Sequence, residues 1–66
     1  MTTRDKMLEQ WVENQITWLA TNEDEWDKAA TESPASDVTR QRYRMVAGAC
    51  WSAKQVFAGL LKEIQR

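Results

Sequence analysis

The 66-residue chain has no histidine, one cysteine, one proline and two glycines, and each shortage closes a route. Without histidine there is no conventional Ser-His-Asp or Cys-His pair, so nucleophilic catalysis of the usual kind is excluded. A lone Cys50 cannot close an intramolecular disulfide. One thiolate without imidazoles cannot supply the four ligands of a structural zinc site. Gly48 and Gly59 stand apart within a helical pattern and build no phosphate-cradling loop. No apolar run approaches the roughly 20 residues of a membrane span, and the opening "MTTRDKMLEQ" lacks the basic-then-apolar layout of a secretory signal. The expectation is a soluble cytoplasmic protein with no catalytic residues, no metal and no cofactor.

Two residue clusters test that expectation. Cys50 lies in the small-residue run "AGACW", away from cations at helical spacing, which suits an inert packing residue better than a redox thiol. Glu23, Asp24, Glu25 and Asp27 lack the glycine turn and alternating ligands of a calcium loop, so they read as a solvated or arginine-paired helical face.

What the chain does have is charge division, helical periodicity and four tryptophans. Residues 1–33 carry three cations against eight carboxylates, a net of -5, and residues 34–66 carry six against two, a net of +4. The halves should attract. A single domain spanning residues 1–66 buries only about 60% of its unfolded surface, so a lone core is marginal and partners are expected.

The one strong break is "TESPASD". Ser33 before Pro34 reads as an N-cap with proline at the first helical position, and Ser36 before Asp37 is the competing cap. Upstream, Thr2 and Asp5 stand at capping-box spacing. Leu8, Val12, Ile16 and Leu19 then mark one helical face, continued by Trp26 and Ala30. A continuous first helix is the leading reading. A capping signal at Thr21, giving a kink or a third short helix near residues 21–31, is the alternative.

Downstream, Val38, Met45, Val46, Ala49, Ala53, Val56, Phe57, Leu60 and Ile64 form a stripe expected to face the first helix. The fold class is therefore all-α: an antiparallel two-helix hairpin suited to assembling into a helical bundle. With the turn near Ser33 and Pro34, residue i lies level with roughly 67 − i, which sets Leu19 beside Gly48 and Ala49 and the acidic "NEDEWD" beside the basic "RQRYR".

More apolar surface is present than one hairpin hides. On the first helix Met7, Trp11 and Trp18 flank the main stripe, and the combined arc covers about half the cylinder where roughly 100° serves one contact. On the second, Trp51 projects near Ala47, Lys54 and Ala58, away from the expected seam. Tryptophans on spare surfaces mark contacts. Met7, Trp11, Trp18 and Trp51 are thus the candidate partner-binding residues, with Arg40, Tyr43 and Arg44 setting register. The partner is a second copy, a dimer in the simplest case, or a larger protein for which this chain is adaptor, assembly component or inhibitor. The competing function is a small nucleic-acid-binding regulator using Arg40, Arg42, Arg44 and Tyr43. The slight net acidity and the few cations weigh against it. In size, tryptophan content and single hairpin the chain resembles, in general style, small accessory proteins of bacteriophages and mobile elements.

Overall fold

The computed structural model describes residues 2–32 and 36–66. They form two helices, α1 (Thr3–Glu32) and α2 (Asp37–Ile64), packed against each other as an antiparallel hairpin. The Cα extents of 50 × 14 × 11 Å and radius of gyration of 15.2 Å describe a rod. A compact globule of this length would have a radius of about 11 Å. Nothing covers the two broad sides of the rod, so the interior is thin: Val12, Leu19, Ala30 and Ala47 are the buried apolar residues.

α1 starts where the capping spacing places it. The Asp5 N–H donates to Thr2 Oγ1 (3.1 Å), and the Thr2 N–H donates back to Asp5 Oδ2 (3.3 Å), so two of the orphan donors at the helix start are satisfied reciprocally. The helix then runs without a break to Glu32. Thr21 does not open a second helix: its hydroxyl donates to the Thr17 carbonyl (3.1 Å), while Asn22 reaches the Trp18 carbonyl (2.8 Å). These polar side chains spend their hydrogen bonds on the preceding turn instead of capping a new one. The third short helix is therefore absent: residues 21–31 belong to one continuous helix.

Ser36, in extended conformation, is the N-cap of α2, its Oγ accepting from the Thr39 N–H (3.4 Å). Asp37 in the first turn complements the helix dipole. The alternative cap at Ser33 and Pro34 lies outside the described residues. At the far end the Gln65 N–H closes the last turn on the Leu61 carbonyl (3.0 Å).

The register agrees closely with the expected one. Trp11 meets Phe57 edge to face at 5.8 Å between centroids, and Trp26 meets Tyr43 at 5.3 Å. Residue i therefore lies level with about 68 − i.

The face that α2 turns inward differs from expectation. Val38, Met45 and Val56 are 59%, 69% and 71% exposed, and Val46, Ala49 and Leu60 are exposed as well. Of the expected stripe, Ala53, Phe57 and Ile64 alone are half-buried. The inward residues are Tyr43, Ala47, Cys50, Lys54, Phe57, Leu61 and Ile64, at alternating steps of three and four. They interlock with Val12, Ile16, Leu19, Glu23, Trp26 and Ala30 of α1, which repeat the same steps. The sizes at the seam suit this face. Ala47 and Cys50 lie near the level of Leu19, where small side chains accommodate a large one. Gly48 has no such role, since a methyl group added there would meet nothing within 4 Å.

Candidate interaction surface

A strict three-four seam on both helices sorts every other residue by its distance from the seam. Residues that immediately precede a seam position fall on one flank, and those that immediately follow fall on the other. Two antiparallel helices are related by a twofold axis perpendicular to the plane holding them, which leaves the two sides of that plane unexchanged. The preceding flanks of α1 and α2 thus share one side of the rod, and the following flanks share the other.

The preceding side is apolar. α1 contributes Leu8, Trp11 and Trp18. α2 contributes Val46, Ala49, Ala53, Val56 and Leu60. Of the large apolar side chains that stay exposed, Leu8, Trp11, Trp18, Val46, Val56 and Leu60 belong to this side, whereas Met7, Val38 and Met45 lie on the helix backs and Trp51 on the other flank. Trp11 and Trp18 are 52% and 60% exposed. Leu8, Trp11, Trp18, Val46, Val56 and Leu60 together show on the order of 600 Å², at the upper end of the range for the largest patch of a typical monomer. Gln15, Asn22, Ala29 and Thr39 fill the remaining near-seam positions, so no charge interrupts the middle of the face.

The opposite side is polar. It carries Glu13, Asp24 and Asp27 from α1, and Arg44 and Lys62 from α2, with Trp51 (54% exposed) among them. One cross-helix ion pair lies near that side: Lys54 Nζ to Glu23 Oε1 at 3.1 Å, with side-chain exposures of 25% and 14%. Side chains lean toward the N-terminus of their own helix. In an antiparallel pair Lys54 and Glu23 therefore lean toward each other, which lets them meet although several residues separate their levels.

The residues singled out from the sequence thus divide among several places. Trp11 and Trp18 stand on the apolar side, and Met7 is on the outer back of α1. Trp51 and Arg44 stand on the polar side, so the three outer tryptophans do not form one patch. Tyr43 is half-buried against Trp26, and Arg40 is half-buried at the end of the seam. Arg42 and Arg44 point to opposite flanks, so the "RQRYR" segment does not gather its cations on one surface. The exposed residues Leu8, Val38, Met45, Val46, Ala49, Val56 and Leu60 are the part of the surface that sequence reasoning assigned to the interior. Their signal was the apolar stripe itself, which faces away from α1.

Among the described residues no group of three or more Cys, Asp and Glu side chains is placed to hold a metal ion, and no helix is long and apolar enough to cross a membrane. No family model, no curated protein and no solved structure matches the chain.

Proposed function

We propose that this protein is a non-enzymatic protein–protein interaction module. It is a helical hairpin that self-associates through its apolar side and uses the same kind of surface as an adaptor, assembly component or inhibitor of a larger protein. In this reading it works in the cytoplasm, in the style of a bacteriophage or mobile-element accessory protein. The supporting observation is the face bearing Trp11, Trp18, Val46, Val56 and Leu60, whose middle is uncharged. Aromatic residues in a patch of that extent are the usual anchors of interfaces. Nucleic-acid binding is disfavoured by the divergence of Arg42 and Arg44 and by the carboxylates beside Arg44 on the polar side.

Light scattering after size exclusion, over a hundredfold range of concentration, tests the reading. The wild type should show a mass near twice 7.7 kDa that falls on dilution. Trp11→Ala with Trp18→Ala should remain monomeric over the range while keeping its helical circular dichroism. A wild type monomeric throughout, retaining no protein that the double variant fails to retain, would remove the proposal.

A further inference from the structure

We infer that the occupant of the apolar side is a second copy of this chain, docked with its twofold axis parallel to the helices, so that α1 of each copy lies on α2 of the other. The inference rests on the self-association proposed above and adds the arrangement.

Three observations carry it. The first is area. The chain exposes 5113 Å², whereas a compact protein of this mass exposes about 4,300 Å², leaving an excess near about 800 Å², the share one partner contributes to a standard interface. One flat side of a rod 50 Å long can supply that much.

The second is size complementarity. With an axial twofold, residue i of α1 faces about residue 68 − i of the other copy's α2. Trp18 then sits over Ala49 and Ala53 of the second copy, and Trp11 over its Val56 and Leu60. A large ring against two alanines fills space without strain. The other face-to-face twofold, perpendicular to the helices, would instead bring Trp18 close to Trp18 of the second copy and Ala49 close to Ala53, setting bulk against bulk and leaving small against small.

The third is charge. Arg4 and Glu63 bound the apolar side at the open end, and Glu25 and Arg42 bound it toward the turn, with Glu32 beyond them as the last residue of α1. Within one hairpin Glu25 and Arg42 stand on opposite borders, and neither has an ion-pair partner among the described residues. In the axial dimer Glu25 faces Arg42 of the second copy, and Arg4 faces its Glu63. The twofold doubles both pairings. Glu63 already has a neighbour in Arg66 at 3.6 Å, in an exposed pair, so the Glu25 and Arg42 pairing is the cleaner probe.

The test uses the full chain and two variants, Glu25→Arg and Arg42→Glu. Each alone sets like charges opposite each other twice per dimer, and its dimer Kd should rise roughly tenfold. An equimolar mixture restores both pairings in the mixed dimer, and its apparent Kd should return to within about threefold of the wild type. Native mass spectrometry of the mixture should show the heterodimer in excess over both homodimers. A dimeric wild type with no preference for the heterodimer would overturn the axial arrangement while leaving self-association standing. A wild type monomeric throughout would overturn both, and circular dichroism of each variant separates a failed dimer from a failed fold.

Discussion

Replacing Glu23 and Lys54 by leucine, singly and together, separates what their ion pair contributes from what it costs. At 3.1 Å and an effective dielectric of about 20, the attraction is on the order of 5 kcal/mol. Desolvation offsets most of it, because both groups lie largely inside the seam. They keep 25% and 14% of their side-chain exposure, so the net coupling should be about 1 to 2 kcal/mol, between exposed and fully buried pairs. Either single replacement strands its partner and should lower the melting midpoint by roughly 5 to 10 °C for a domain of this size. The double replacement removes both desolvation costs and adds apolar packing, and should exceed the wild type by about 1 to 3 kcal/mol. Far-UV circular dichroism during thermal and urea unfolding reads all four proteins. A single protomer concentration is needed, since association would shift the midpoints. Additive effects, agreeing within about 0.5 kcal/mol, would refute the pairing. A double variant less stable than both singles would refute the view that the seam tolerates apolar residues at these positions.

Two further predictions concern the hairpin itself. Leu19→Ala removes one of the few buried large side chains (8% exposed) and should cost about 2 to 5 kcal/mol, enough to abolish cooperative unfolding at room temperature; a retained sigmoidal transition with unchanged midpoint would show that Leu19 is not part of the core. Gly48→Ala places a methyl group in open space and should stabilise α2 by about 0.5 to 1 kcal/mol through helix propensity. A loss of stability there, measured by urea unfolding, would reveal a neighbour packed on the polar side.

α1 was largely legible because its hydrophobicity and its packing agree from Val12 on: Val12, Ile16, Leu19 and Trp26 recur at seam spacing and all turn inward, whereas Leu8, expected on the same face, stays exposed on the flank. The hairpin register followed from the single break in the chain, and the Trp11 and Trp26 ring contacts lie within a residue or two of it. α2 was misread for a physical reason. Its more hydrophobic stripe and its packed stripe are different residues, and periodicity alone favours the more hydrophobic one. Ala47 and Cys50 carry little apolar weight, and Lys54 carries a charge, yet they occupy three successive seam positions. Their claim comes from what lies across the gap, namely Leu19, Trp26 and Glu23, which a reading of one helix at a time does not weigh.

That misreading points to what selects the inward face of α2. Turning Ala49, Val56 and Leu60 toward α1 would bury more apolar surface within the hairpin. It would also carry Lys54 out to solvent and leave Glu23 in the seam without its cation, at the cost of a stranded charge. Trp26 would lose Tyr43, and Trp11 would lose Phe57. The ion pair and the two ring contacts thus oppose the alternative face, although that face would bury more apolar area. What stays outside is the stripe with the larger apolar area, beside Trp11 and Trp18, where a second chain can reach it. In the double leucine variant this selection is gone, and either stripe of α2 can face α1. Its higher midpoint should then come with doubled or broadened amide resonances and, under the proposed self-association, weaker dimerisation, because part of the population has turned the apolar stripe inward. A double variant that is more stable, gives one sharp set of resonances and dimerises as tightly as the wild type would mean that size complementarity at Ala47 and Cys50, without the ion pair, decides the face.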